Sequence, residues 1–117
     1  MPKPDRTAGS GAKADLDPIW KALADPTRRA ILDLLKRGPR TTTEIVERVP
    51  GLSRFGVMKH LSVLREANLV RAREDGPRVV NTLNVIPIRM IYDRWVSGYE
   101  DLWARNLTSL KRSLEPE

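Results

Sequence analysis

The 117-residue sequence predicts a mainly helical fold with one small β-hairpin. Apolar residues recur at three- and four-residue steps through 16–67 and again through 89–114, the spacing of helices with one buried face. Residues 69–85 instead place two β-rich runs around an Asp-Gly-Pro turn. We therefore expect one domain, 15–117, with about five helices and a two-stranded hairpin. Residues 1–14, rich in Pro, Gly, Ala and charge, are predicted to be a disordered tail.

The first two helices are predicted from their capping residues. The first covers 16–24, where Asp15 or Asp17 can cap it. The second starts after Asp25, because aspartate followed by proline is typical of a cap and a first helical position. It ends at the Gly-Pro pair at 38–39. Its predicted buried residues are Ile31, Leu32, Leu34 and Leu35.

The third and fourth helices are joined by a short Pro-Gly-Leu turn. Thr41 and Glu44 have the spacing of a capping box at the start of the third helix. Ser53 can cap the fourth helix, which is predicted over 54–67 and followed by Asn68 in a left-handed conformation. Helix, short turn, helix and hairpin is the order of a winged helix-turn-helix domain, in which the fourth helix would be the recognition helix.

The recognition helix has apolar residues on more than one face. Val57, Leu61 and Leu64 form one inward stripe at helical spacing. A helix in a DNA major groove can use further apolar side chains on its outer side, because thymine methyl groups offer apolar contact. We expect Arg54 to bond guanine O6 and N7, and Lys59 to contact a phosphate or a guanine. The outer residues predicted to face DNA are Ser53, Arg54, Phe55, Met58, Lys59 and Ser62.

These residues also have purely structural interpretations. Phe55 could pack the start of its helix against the preceding one, and Met58 could fill a gap in the core. His60, the one histidine of the sequence, is expected to pack or hydrogen-bond inside the domain, since a lone histidine makes a poor metal site. Thr42 and Thr43 can donate to phosphate, although capping alone explains their neighbour Thr41.

The hairpin adds arginines to the same region. Arg71, Arg73 and Arg78 lie on the strands, and an arginine near the turn can enter a minor groove, for which Arg78 is best placed. Alternatively these are ordinary solvated strand ends. Residues 36–78 hold ten basic and five acidic side chains, net +5 of the total +6. Such clustering suits a polyanionic partner, although a solvated surface would have the same charge.

The last predicted helix, 89–114, carries an aromatic stripe. Trp95, Tyr99 and Trp103 follow one another at four-residue steps, and this stripe must be covered by its own domain or by a partner. Large aromatic residues dominate protein interfaces. From the residues alone two alternatives stay open, a homodimer interface formed by the terminal helices or an intramolecular core. The predicted interface residues are Ile19, Trp20, Tyr92, Trp95, Tyr99, Leu102, Trp103 and Leu110.

Several classes of protein are not supported. The sequence has no cysteine, which excludes disulfides and thiolate metal sites. It has no run long enough for a membrane helix and no secretory signal, so we expect a cytoplasmic protein. No nucleophile–base pair, phosphate-binding glycine loop or metal cluster supports an enzyme. A sequence-specific DNA-binding regulator is favoured over a basic winged-helix module that binds another protein.

Two motifs resemble the ArsR/SmtB family of transcriptional repressors. "ALADPTRRAILDLL" is similar to the second-helix signature of that family, and "GLSRFGVMKHLSVLREANLV" to its recognition helix running into the wing. The resemblance covers about 16–114. It implies a dimeric winged-helix repressor that binds inverted-repeat operators near its own promoter and releases DNA when an effector binds.

The metal sites of that family find no counterpart in this sequence. The cysteine pair of metal-sensing members would fall near 57–59, and the last helix has no histidine. The aromatic-rich last helix resembles a branch that does not sense metals. We therefore expect no metal, no cofactor and a non-metal effector.

Overall fold

The computed structural model describes residues 15–115, so the tail predicted over 1–14 lies outside the described residues. The described chain divides into two compact units, with the boundary between Pro87 and Ile88. Each unit is described by itself below. Within the described residues, no helix has the length and apolar content needed to cross a membrane.

The first unit contains the four predicted helices: α1 (Asp17–Leu23), α2 (Pro26–Leu35), α3 (Thr42–Arg48) and α4 (Arg54–Glu66). The start of α1 differs from the predicted cap. Leu16 is the capping residue and gives no side-chain bond, while the Asp17 amide donates to Asp15 Oδ1 at 3.0 Å. Asp15 therefore satisfies one free amide of the first turn from just outside the helix.

The other helix ends follow the predicted local chemistry. Asp25 accepts from the Arg28 amide at 3.0 Å and caps α2. Thr41 and Glu44 form both bonds of the capping box at α3. Asn68 has a φ of 62°, the left-handed conformation predicted just after α4.

The β-structure has one strand more than predicted. β2 (Val70–Asp75) and β3 (Arg78–Leu83) form the antiparallel hairpin, with Gly76 at a φ of 62° in its turn. A third strand, β1 (Arg40–Thr41), pairs with β3 through Arg40↔Asn81, so the sheet order is β1-β3-β2. The two-stranded prediction was incomplete because a two-residue strand leaves no alternating pattern in the sequence.

The core of the first unit lies between α2, α3, α4 and the sheet. The inward stripe predicted for α4 is confirmed, since Val57, Leu61 and Leu64 are all inaccessible to solvent. Ile31 of α2 and Ile45 of α3 are equally buried. With one face of α4 fixed in the core, its opposite face must point outward.

The last helical stretch is interrupted, and the prediction of one continuous helix over 89–114 is wrong. α5 (Ile86–Ile91) is followed by a π-helical turn (Tyr92–Val96), a 3₁₀ turn (Ser97–Tyr99) and α6 (Glu100–Leu114). Ser97 Oγ donates to the Asp93 carbonyl at 2.9 Å, a side-chain bond of the kind that bends helices. The adjacent Gly98 is a weak helix former. α5 also begins before Pro87, which is tolerated in a first turn.

Candidate nucleic-acid interface

The outer face of α4 begins at a well-defined helix start. Ser53 caps the helix, since its Oγ accepts from the Gly56 amide at 3.1 Å. Phe55 is 71% exposed and Met58 50% exposed, so neither fills the core or packs tightly on the preceding helix. The cap and the buried stripe together fix which side chains of α4 face outward. Those exposed on this face are Arg54, Phe55, Met58, Lys59 and Ser62.

A cleft of about 200 Å³ lies beside this face, between α4, the start of α3 and the hairpin. Three arginines line it, Arg54 and Arg65 from the two ends of α4 and Arg78 from β3, and the described residues that line it include no carboxylate. The cleft therefore gathers positive charge where helix and wing meet, as binding to a phosphate backbone requires. Its remaining lining residues are Thr41, Thr42, Thr43, Met58, Pro77 and Val79.

The two threonines predicted to face DNA differ in their surroundings. Thr43 is exposed, and its Oγ1 accepts from Arg54 Nη2 at 2.5 Å. Thr42 is buried and its Oγ1 accepts from Asn81 Nδ2 at 3.1 Å. Thr43 thus holds the Arg54 guanidinium beside α3, whereas Thr42 makes a structural contact within the unit.

A buried network around Asn81, which was not predicted from the sequence, joins α4 to the β2–β3 hairpin, the wing. Asn81 on β3 is inaccessible to solvent. Its Oδ1 accepts from Arg65 Nη2 at 2.9 Å, and its Nδ2 also donates to the Arg40 carbonyl at 3.2 Å. One side chain therefore connects α4, β1 and the start of α3. The sequence did carry one signal for it, because Asn81 lies on the same face of β3 as the apolar residues Val79 and Leu83, where a polar side chain needs a hydrogen-bond partner.

The wing arginines Arg71, Arg73 and Arg78 are all exposed. Arg78 Nη2 lies 3.4 Å from Asp75 Oδ2 across the turn. Since both side chains are largely exposed, this pair is weak and can yield to a stronger anion.

His60 lies on the inner flank of α4, as the prediction of an internal contact requires. Its Nδ1 is 3.2 Å from Arg28 Nη1 and 3.8 Å from Asp25 Oδ2. Arg28 also donates to the carbonyls of Ala22 and Lys21 at the end of α1. The Arg28 amide, helped by the charges of His60 and Arg28, lowers the pKa of Asp25. This cluster fastens α1 and α2 to the recognition helix.

The predicted interface residues of the C-terminal unit form an exposed aromatic surface. The Trp95 and Tyr99 rings stack with centroids 5.1 Å apart, and Trp95 is 51% exposed. Trp103, one turn further along, is 65% exposed. Tyr92 donates from its hydroxyl to Glu100. Leu102 and Leu110 are also exposed.

The two α1 residues predicted for the same interface differ. Trp20 is exposed, while Ile19 is only 5% exposed. The Ile19 side chain is therefore already buried within its own chain, which leaves little of it for a partner.

The positions equivalent to a metal-sensing recognition helix do not fit a metal. Val57 is a core residue, and neither Met58 nor Lys59 supplies the thiolate that such a site uses. Among the described residues, no three His, Asp or Glu side chains are grouped so that they could hold a metal ion.

Comparison with known proteins gives the same family from sequence and from structure. Residues 23–73 match the model of a helix-turn-helix domain. The HTH-type transcriptional regulator Rv2034 of Mycobacterium tuberculosis is 38% identical over 104 residues, which cover 86% of this chain and 90% of the relative. The transcriptional repressor SdpR of Bacillus subtilis is 38% identical over 66 residues, 56% of this chain and 72% of that one.

A solved ArsR-like transcriptional regulator from Rhodococcus sp. RHA1 superposes with a TM-score of 0.65 at 27% identity. The superposition covers 92% of this chain and 99% of the other. Together with the order of helices, sheet and wing, these matches identify a DNA-binding transcriptional regulator. The chain belongs to the ArsR/SmtB family of winged helix-turn-helix regulators.

Proposed function

We propose that this protein is a transcriptional repressor that binds an inverted-repeat operator as a homodimer. The observation that carries the proposal is the outer face of α4, where Arg54 stands exposed in the first turn beside a cleft lined by two further arginines. In helix-turn-helix proteins, the N-terminal residues of the recognition helix contact base edges. The relative SdpR is a transcriptional repressor, and we extend this role to the present chain.

The division of contacts follows from side-chain chemistry. Arg54 can give two parallel hydrogen bonds to guanine, so we assign it to base reading. Lys59 is a flexible point charge and is assigned to phosphate, together with Thr43, Ser62 and the wing arginines. Ser53 is exposed and is assigned to the same backbone contact through its position at the helix start.

Dimerisation is supported by the exposed surface of the C-terminal unit. Residues 79–117 carry five basic and five acidic side chains, so this segment has no excess charge with which to hold DNA. Its exposed Trp95, Tyr99 and Trp103 are typical anchors of a protein interface. A two-fold dimer would place two recognition helices about one turn of DNA apart, roughly 34–36 Å.

The operator complex is proposed to respond to a non-metal effector, because the residues present do not fit the family's metal site. Since the proposed partner is an operator in DNA, the proposed location is the cytoplasm.

Selection of bound fragments from random duplex DNA by the purified full chain tests the proposal. The expected product is a single motif of two inverted half-sites, with centres about 10–10.5 base pairs apart. Arg54→Ala, selected in parallel, should lose preference at one position of each half-site. Binding without any enriched motif would contradict the proposal and favour a winged-helix module that recognises another protein.

A further inference from the structure

The outward face of α4 presents two large apolar side chains among cations. Phe55 and Met58 lie three residues apart, hence on one side of the helix, and both are at least half exposed. They lie in the first turns of α4, the part that enters the major groove in helix-turn-helix complexes. Isolated exposed apolar residues are common on protein surfaces. Two neighbouring exposed apolar residues on a surface proposed to bind a polyanion indicate instead a contact with a specific apolar group of that polyanion.

The surrounding charges define that partner. The Lys59 ammonium lies 5.4 Å from the centroid of the Phe55 ring, a cation–π contact that keeps the ring beside a positive charge. Arg54 and the arginine-lined cleft lie next to Met58. The occupant of this surface must therefore be anionic and must also present a small apolar group. In the DNA major groove, the apolar group is the C5-methyl of thymine.

We propose that Phe55 and Met58 read the 5-methyl group of a pyrimidine close to the guanine contacted by Arg54. This inference rests on the proposed function and specifies the ligand of the same site. Because recognition is of the methyl group, 5-methylcytosine can replace thymine in this contact, and binding responds to cytosine methylation at that position.

The spacing of the side chains limits where the methyl lies. Phe55 adjoins Arg54 in the sequence, and Met58 lies one turn further, about 5–6 Å from Arg54 between Cβ atoms. Successive bases of one strand are about 3.4 Å apart along the duplex. The methyl group should therefore lie one or two base pairs from the guanine.

Deoxyuridine replacement in the selected duplex is the direct test, because uracil pairs like thymine but lacks the methyl. Replacing the thymine nearest the guanine should weaken binding by the wild-type chain roughly fourfold in each half-site, the equivalent of one buried methyl group. A duplex with 5-methylcytosine·G in place of that T·A pair should be bound more tightly than the same duplex with unmethylated C·G, by a similar factor.

Variants assign the effect to the two side chains. Phe55→Ala and Met58→Gln should bind thymine and uracil duplexes with equal affinity, while Met58→Leu, which stays apolar, should keep the preference. Arg54→Ala serves as the matched control, since it should bind more weakly overall and still prefer the thymine duplex.

Two results would overturn the inference. One is equal wild-type affinity for thymine and uracil duplexes while the enriched motif and the Arg54 effect persist, which leaves the proposed function standing. The other is a selected motif with no thymine within two base pairs of the guanine. Failure to select any motif would remove the proposed function and the inference together.

Discussion

The two units of this protein use amphipathic helices in opposite ways. In residues 15–87, α4 buries Val57, Leu61 and Leu64 completely inside its own unit. In residues 88–115, α6 has an equally regular apolar face but no buried residue. The charges differ as well, since residues 15–87 hold thirteen basic and nine acidic side chains, net +4, while residues 88–115 hold five and four, net +1.

This contrast shows what helical periodicity predicts and what it leaves open. An apolar stripe predicts that a helix face is buried, but it does not say which surface buries that face. For α4 the cover is the core of its unit. For α6 we propose that the cover is a second copy of the chain. In this proposal the first unit binds DNA and the second unit holds the homodimer together.

The largest expected effect comes from removing the aromatic anchors of the C-terminal unit. Trp95→Ala combined with Trp103→Ala should convert the proposed homodimer to monomer in sedimentation experiments, because tryptophans that act as interface hot spots contribute about 2 kcal/mol or more each. Losing the linkage of two half-site contacts should then weaken operator binding by roughly 10²–10⁴-fold. Phe55→Ala, which removes an exposed aromatic ring from the other unit, is the matched control and should leave the mass unchanged.

A smaller loss is expected from the base-reading arginine. Arg54→Ala should cost roughly 1–3 kcal/mol of operator binding and relax preference at one position. Lys59→Ala should weaken the operator and random duplexes alike, because a phosphate contact carries no sequence information. Titrations against both DNAs separate the two roles. An equal loss on both for Arg54→Ala would remove its assignment as a base reader.

The link between helix and wing should affect stability. Asn81→Ala leaves Arg65, Thr42 and the Arg40 carbonyl without their partner, and a buried polar group left unsatisfied costs about 1–3 kcal/mol. Denaturant unfolding should show this loss, whereas Thr82→Ala at the exposed neighbouring position should stay within about 0.5 kcal/mol of wild type. If Asn81→Ala left the free energy of unfolding unchanged, the network would not be what holds the wing in place.

Acid should weaken the two caps that carry carboxylates. The Arg28 amide lowers the pKa of Asp25, and the Thr41 amide lowers that of Glu44. Both groups favour the folded state above their ordinary pKa values of 3.8 and 4.5, and this contribution is lost as the pH falls through the lowered values. The melting temperatures of the wild type and of Asp25→Asn should differ at pH 7 and converge as the pH falls to 3. A constant difference across that range would contradict the assignment.

Metal ions should have the smallest effect of all. Zinc, cadmium, arsenite or nickel at micromolar concentration should leave the operator complex intact, because the positions equivalent to the family's metal site carry no thiolate and the sequence has no cysteine. Mobility-shift titrations with and without a chelator provide the measurement. A stoichiometric metal that releases DNA would contradict it.

Features set by neighbouring residues could be predicted from the sequence. Asp25, Thr41, Ser53 and Asn68 shape helix ends through bonds or backbone angles within a few residues, so each was placed correctly. The helices of the first unit and the hairpin followed from such signals together with periodicity. The outward face of α4 was likewise predicted, because it consists of the residues that lie outside the buried stripe.

Features that depend on distant pairing could not be predicted. β1 exists because Arg40 meets Asn81, forty-one residues away, and two residues carry no recognisable strand pattern. The same pairing creates the buried network of Asn81. In the last helical stretch, the apolar spacing continues through 92–99 although Ser97 and Gly98 interrupt the regular backbone, so the pattern concealed the break.

In this proposal, DNA binding and dimer formation are separate tasks of the two units. The most direct measurement is the affinity of the Trp95→Ala, Trp103→Ala double variant for a duplex with one selected half-site and for a scrambled duplex. We predict a folded monomer that binds more weakly than the wild type to the full operator yet still prefers the half-site to the scrambled sequence. A folded monomer that binds both duplexes equally would contradict the claim.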